Sequence, residues 1–229
     1  MEASSSNVSP CSQDEAARIR RLESIWNLPN QLTIARLGLS VVFFVLLALE
    51  THGVFGAGGR RTVLNVSIVV FVLAVVTDFL DGYLARKWGL ISTFGRIADP
   101  FADKIVVCGG FVMLTGIAPR LVEPWFAVVI MFREFLVSAL RSFLESRSVA
   151  FGASWSGKFK MLVQSITIPL VILYQANFAP PPGSDAAGPP LVSYWLCVAF
   201  LALTLILTLA SSVGYVQRAV ALIRDNTAR

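Results

Sequence analysis

Six long runs of apolar residues alternate with short polar or Gly/Pro-rich breaks along this chain. Each run is near or above the ~20 residues that an α-helix needs to cross a bilayer. The breaks include a Gly-rich loop at 52–61 and the stretch APPPGSDAAGPP at 179–190, which cannot continue a helix. The pattern predicts an all-α integral membrane protein with six transmembrane helices, at 31–51, 62–87, 95–118, 122–147, 156–178 and 190–223.

The N-terminal part differs from this pattern. Residues 1–11 are Ser-rich and are predicted to form a disordered tail. Residues 12–26 predict a helix with arginines beside an apolar side, which is typical of an interfacial amphipathic helix. The apolar side comprises Ile19, Leu22, Ile25 and Trp26. An ordinary solvated helix is the alternative. The six-helix domain is then expected to cover 27–225.

Composition supports a membrane protein. Of the 229 residues, 55% are hydrophobic and 14% are charged, whereas soluble domains carry about 25% charged residues. The net charge of +5 is better explained by the positive-inside rule and by attraction to anionic phosphate groups than by nucleic acid. We therefore expect membrane lipids, and no nucleic acid, as partners.

Lysine and arginine also predict the orientation. In the six-span arrangement one side carries only Arg60, Arg61 and Arg120. The other side carries Arg18, Arg20, Arg21, Arg86, Lys87, Arg96, Arg147, Lys158, Lys160, Arg218 and Arg224. Because cytoplasmic loops are enriched in Lys and Arg, we expect both termini and the acidic site described next to face the cytoplasm. A bacterial cytoplasmic membrane or its equivalent is the expected location.

Four aspartates lie at the edge of the second and third apolar runs. Asp78 and Asp81 are spaced i, i+3, and Asp99 and Asp103 are spaced i, i+4, so each pair projects from one face of a helix. One unpaired charge at membrane depth costs about 3 kcal/mol, and four cost roughly 10 kcal/mol unless they are compensated. Two such faces packed together would bring four carboxylates to one point, as hard divalent cations require.

Small residues share these faces. Gly82 and Ala85 lie on the face of Asp78, and Gly95 lies one turn before Asp99. Glycine inside a helix costs about 1 kcal/mol relative to alanine, which indicates that a large ligand approaches the backbone here. A nucleotide fits this requirement, with Arg86 reaching its phosphate.

These residues resemble the signature of the CDP-alcohol phosphatidyltransferases, with Asp78-x2-Asp81-Gly82-x2-Ala85-Arg86-x8-Gly95-x3-Asp99-x3-Asp103 matching at every fixed position. The resemblance implies that the four aspartates bind one or two Mg²⁺ or Mn²⁺ ions that hold the diphosphate of a CDP-activated lipid. It also implies that Asp103 deprotonates the attacking alcohol. The expected CDP-lipid pocket comprises Asn30, Thr33, Gly82, Ala85, Arg86, Ser92 and Gly95.

A second group of charged residues lies in the fourth and fifth runs. Arg133, Arg141, Lys158 and Lys160 could form an anion site for the phosphate of an acceptor, with arginine giving bidentate contacts. The alternative is that Arg133 and Glu134 form a structural ion pair and that the lysines only mark a cytoplasmic loop.

This segment resembles the phosphatidylglycerophosphate synthase branch of the family. The matching residues are Arg133, Glu134, Ser138, Arg141, Gly157, Lys158 and Lys160, together with NLPNQLTIARL at 27–37, whereas Met161 stands where Thr is expected. The resemblance implies transfer of the phosphatidyl group of CDP-diacylglycerol to sn-glycerol 3-phosphate in phospholipid biosynthesis. It also implies a homodimer.

Three other functions fit parts of the sequence. Another branch could use the same donor with an inositol phosphate or serine acceptor. A choline or ethanolamine phosphotransferase is disfavoured because such chains are generally longer. A cation transporter, from a different class, requires acidic residues through the membrane depth, but here they cluster at one end of the spans.

Overall fold

The computed structural model describes residues 28–88, 93–146, 155–180 and 191–227, with side chains described over most of these ranges. The chain is helical within them and forms no strand there. The helices are α1 (Leu28–Thr51), α2 (Gly56–Trp88), α3 (Thr93–Ile117), α4 (Pro124–Ser146), α5 (Trp155–Asn177) and α6 (Leu191–Thr227). They follow the six predicted segments in order. The predicted tail at 1–11 and the predicted interfacial helix at 12–26 lie outside the described residues.

Four of the helices contain stretches long and apolar enough to cross a membrane. These are Gln31–Thr51, Gly58–Leu80, Phe159–Asn177 and Val192–Ala221. Among the residues of α3 whose side chains are described, an apolar stretch covers Lys104–Ile117. In α4 the apolar residues are interrupted by Arg133 and Glu134.

The helices pack around an apolar core. α1 packs against α2 and α3, α5 packs against α2, α3 and α6, and α4 packs against α3 and α6. Phe43, Phe71, Phe111 and Ile168 are almost fully buried in the core. Many large apolar side chains lie on the outer surface, as expected for a surface that faces lipid.

Glycines allow α3 to approach its neighbours closely. A Cβ atom on Gly109 would clash with the Phe44 ring on α1, and one on Gly110 would lie 2.8 Å from Cδ1 of Ile168 on α5. Small residues serve this purpose in membrane helix packing. They hold α3, which carries two of the aspartates, against α1 and α5.

The connection between α1 and α2 is shorter than predicted. The predicted loop at 52–61 is wrong for 56–61, because α2 already begins at Gly56. Positive φ angles occur at Gly53 (69°) and Gly56 (60°), which confine the turn to 52–55. Glycine lowers helix propensity without forbidding a helix. Arg60 Nε lies 3.5 Å from Glu50 Oε1, and Arg61 Nε donates to Asn177 Oδ1 at 2.8 Å, so both arginines anchor this first turn.

Candidate active site

Asp78, the first predicted metal ligand, lies where α2 packs against α1. Nη1 of Arg36 lies 2.7 Å from Oδ1 of Asp78. The Arg36 side chain is 1% exposed, whereas that of Asp78 is 35% exposed. Thr33, one turn before Arg36 on α1, is also buried. The Asp78 carboxylate is therefore fixed by a buried cation on one side and accessible to a ligand on another.

The other predicted metal ligands lie on helices, as their spacing requires. Asp78 and Asp81 are both in α2, and Asp99 and Asp103 are both in α3. The side chains of Asp81, Asp99 and Asp103 lie outside the described part of the chain. α1 packs against both helices that carry the pairs. The convergence of four carboxylates on one point stays a prediction.

The predicted CDP-lipid residues are placed to different extents. Thr33 is described and buried. For five others the structure describes the backbone alone. These are Asn30 on α1, Gly82, Ala85 and Arg86 on α2, and Gly95 on α3. Ser92 lies outside the described residues. The residues that the structure places lie on α1 or on α2 and α3, which both pack against α1.

The charged residues of α4 and α5 meet inside the bundle. We call Arg133, Glu134, Lys160 and Gln164 the Glu134 cluster. Oε1 of Glu134 accepts hydrogen bonds from Nη1 of Arg133 at 3.4 Å, from Nε2 of Gln164 at 3.4 Å and from Nζ of Lys160. Arg133 and Lys160 are buried. Lys160 and Gln164 reach one carboxylate because their i, i+4 spacing puts them on one face of α5. Two cations share one carboxylate, which leaves one positive charge in excess.

Two of the predicted acceptor-site residues, Arg133 and Arg141, also contact α6. Nη2 of Arg133 also donates to Oγ of Ser211 on α6. Arg141 is exposed and donates through Nη2 to Oη of Tyr215 at 3.1 Å. The Lys158 side chain lies outside the described ones. The structure thus brings Arg133 and Lys160 together and places Arg141 along the same helix as Arg133.

A line of polar residues that was not predicted from the sequence extends the Glu134 cluster into the apolar core. Nε2 of Gln164 donates to Oγ1 of Thr208 at 3.3 Å, and the hydroxyls of Thr167 and Thr204 lie 2.8 Å apart. All four side chains are buried. The signal was the spacing of polar residues by three or four in α5 and α6, which places them on one face of each helix.

Arg36 was also missed as a separate feature. It lies within the NLPNQLTIARL segment, which resembles the family opening, but an arginine followed by an apolar run is itself a signal. Charged residues at membrane depth almost always face the bundle interior and pair with another group. The Asp78 contact is such a pair.

Comparison with known proteins identifies the family. The family model for CDP-alcohol phosphatidyltransferase matches residues 26–214. Similar curated proteins come from several bacteria. A probable phosphatidylglycerophosphate synthase of Mycobacterium tuberculosis is 34% identical over 213 residues, which cover 93% of this chain and 91% of that protein.

Two proteins named CDP-diacylglycerol–glycerol-3-phosphate 3-phosphatidyltransferase are similar over shorter lengths. The one from Bacillus subtilis is 33% identical over 162 residues, covering 67% of this chain and 80% of that protein. The one from Rickettsia typhi is 37% identical over 147 residues, covering 64% and 76%. With the signature on α2 and α3 and a family match over most of its length, this chain belongs to the CDP-alcohol phosphatidyltransferase family.

Proposed function

We propose that this protein transfers the phosphatidyl group of CDP-diacylglycerol to sn-glycerol 3-phosphate, which yields phosphatidylglycerophosphate and CMP in phospholipid biosynthesis. The names of the similar bacterial proteins support this reaction. The structural observation that carries it is the Glu134 cluster, where two buried cations share one carboxylate. Such a site favours an acceptor that carries a phosphate, because the excess positive charge needs an anion.

The metal site comprises Asp78, Asp81, Asp99 and Asp103, and it takes one or two Mg²⁺ or Mn²⁺ ions. This donor set fits the ions because carboxylate oxygens are the ligands of hard divalent cations. The 35% exposure of Asp78 leaves its carboxylate within reach of an ion. When bound, the ions neutralise charge on the diphosphate of the donor.

The remaining residues bind and orient the two substrates. Asn30, Thr33, Gly82, Ala85, Arg86, Ser92 and Gly95 form the CDP-lipid pocket. The small residues let the nucleotide approach the α2 and α3 backbones, and Arg86 binds phosphate through its planar group of donors. Arg133, Arg141, Lys158 and Lys160 bind the phosphate of the acceptor.

The chemical step is a phosphoryl-group displacement. The acceptor's hydroxyl oxygen forms a bond to the phosphorus that carries the diacylglycerol group. The bond from that phosphorus to the bridging oxygen breaks, and CMP leaves with its electron pair. Asp103 accepts the hydroxyl proton, late in the step because an alcohol is a poor acid.

The protein spans the membrane with six helices in this proposal. A disordered tail (1–11) and an interfacial helix (12–26) precede the catalytic domain at 27–225. Both termini and the active site face the cytoplasm, where a soluble phosphorylated acceptor is available, and the protein works as a homodimer. The excess of Lys and Arg on one side of the spans supports this orientation.

The test is CMP release by the purified protein with CDP-diacylglycerol and a panel of acceptors. We expect turnover with sn-glycerol 3-phosphate and little with inositol phosphate or serine. Turnover with another alcohol but none with glycerol 3-phosphate would refute the proposed acceptor. Ion flux in proteoliposomes without CDP-diacylglycerol would instead indicate the cation transporter.

A further inference from the structure

Each arginine of the proposed acceptor site is held by a hydroxyl group of α6. Arg133 Nη2 donates to Ser211 Oγ, and Arg141 Nη2 donates to Tyr215 Oη at 3.1 Å. Ser211 and Tyr215 are one helical turn apart, and α6 packs along α4. Successive turns of one helix thus supply the partners of both arginines.

Ser211 is arranged to accept a hydrogen bond from Arg133. Its own hydroxyl donates to backbone carbonyls of α6, at 2.7 Å to Leu207 and 3.2 Å to Thr208. A hydroxyl has one hydrogen and two lone pairs. Because the hydrogen is used by the helix, the oxygen lone pairs face the guanidinium group.

Tyr215 holds Arg141 in two ways. Beside the hydrogen bond to Oη, the Arg141 Cζ atom lies 5.8 Å from the centroid of the Tyr215 ring. Tyr215 is 7% exposed, whereas Arg141 is exposed, so the tyrosine is the fixed partner. A long side chain ordered before a ligand arrives loses less freedom when it binds.

Arg133 keeps hydrogen-bonding capacity after these contacts. Its Nη1 faces Glu134 and its Nη2 faces Ser211. Its Nε is buried and has no hydrogen-bond partner among the described residues. The guanidinium plane is therefore fixed from two sides.

We infer that Ser211 and Tyr215 are positioning residues for the phosphate of the acceptor. They set the planes of Arg133 and Arg141, so that the phosphate meets guanidinium groups that are already oriented. This inference rests on the proposed function, because it takes these two arginines as phosphate-binding residues.

The experiment compares Ser211→Ala and Tyr215→Phe with the matched control Ser212→Ala. The Ser212 hydroxyl donates to the carbonyl of Leu209 in its own helix. We expect each of the first two variants to raise the KM for glycerol 3-phosphate roughly 3- to 10-fold, since the arginine must then lose its side-chain freedom when the phosphate binds. The kcat and the KM for CDP-diacylglycerol should change by less than about twofold, as for lost binding that is equal in ground and transition states. Ser212→Ala should match the wild type.

A fall in kcat with an unchanged KM for glycerol 3-phosphate would overturn the inference, as would an equal rise of both KM values. Arg133→Gln and Arg141→Gln separate this failure from failure of the proposed function. If the arginine variants raise the acceptor KM and the hydroxyl variants do not, only the positioning role is wrong. If neither arginine variant raises it, the phosphate-site assignment and the positioning role both fail.

Discussion

Two acidic side chains meet cations inside the helix bundle, and their surroundings differ. Asp78 contacts the buried Arg36, but its own side chain is 35% exposed. Glu134 is 14% exposed, and one of its oxygens accepts donors from Arg133, Lys160 and Gln164. The Asp78 carboxylate has room for a further ligand, whereas Glu134 is surrounded by donors from the protein.

The difference assigns different work to the two acids. A carboxylate that is held on one side and open on another suits a bound ion or substrate. A carboxylate surrounded by cations acts as their counter-charge, because a buried ammonium or guanidinium without a partner costs several kcal/mol. Substitutions at the aspartate site should therefore lower turnover more than stability, and substitutions at Glu134 should lower the free energy of unfolding more than turnover.

The largest effect is expected for Asp103→Asn. The amide keeps the size of the side chain but cannot accept the hydroxyl proton, and general-base catalysis contributes roughly 10²- to 10⁴-fold. We expect kcat for CMP release to fall roughly 10²-fold or more, with a thermal unfolding midpoint close to that of the wild type. A purified variant with wild-type turnover would exclude Asp103 as the base.

The second-largest effect is expected from removal of the metal, which should distinguish Asp78 from Glu134. Chelation should abolish CMP release, and Mn²⁺ should restore it. With Mn²⁺ at about 100 times its Kd, binding contributes about 2.7 kcal/mol, equivalent to a rise of roughly 5 to 10 °C in Tm.

Two variants serve as the comparison for this metal effect. Glu134→Gln should keep the Mn²⁺-dependent rise in Tm, whereas Asp78→Asn should lose most of it. An equal rise in both variants would mean that Asp78 is not a ligand.

Much of the fold follows from the sequence because it depends on local signals. Apolar runs of membrane length and the Pro-rich break after Asn177 gave helices within a few residues of those observed for α3, α4 and α5. The start of α2 was misplaced because Gly56, Gly58 and Gly59 lower helix propensity, while the contact of Arg61 with Asn177 is non-local. No local pattern contains that partner.

Site residues could be predicted from the sequence only where their function depends on their spacing along a helix. The aspartate signature needs only positions along two helices, so its residues could be named. The partners of Arg36 and of Ser211 depend on which helices pack together, and this is set by contacts such as that of Gly109 with Phe44. A Thr or Ser in an apolar helix gives no indication of its partner across the interface.

Glu134→Gln is expected to be the most destabilising change at the second acid. It leaves Lys160 and Arg133 buried without a counter-charge, and loss of one partner of a buried pair typically costs about 3 to 5 kcal/mol. The double variant Glu134→Gln/Lys160→Met removes one charge of each sign and should recover part of the lost stability in a denaturant titration in detergent, because only Arg133 then stays buried without a counter-charge.

Activity of the double variant distinguishes the two interpretations of the Glu134 cluster. If Lys160 binds the acceptor, the folded double variant should still show a raised KM for glycerol 3-phosphate. If Glu134 and Lys160 only stabilise the fold, the double variant should show the KM of the wild type.

The smallest effect is expected for Arg36→Gln, which removes the cation from the other pair. Because the Asp78 side chain is 35% exposed, water can solvate its carboxylate once Arg36 is gone, and a lost pair with one hydrated partner costs about 1 to 2 kcal/mol. The variant should therefore be clearly more stable than Glu134→Gln in the same denaturant titration. Equal losses for the two variants would contradict the comparison, because they would mean that Asp78 is as dependent on its protein partner as Glu134 is.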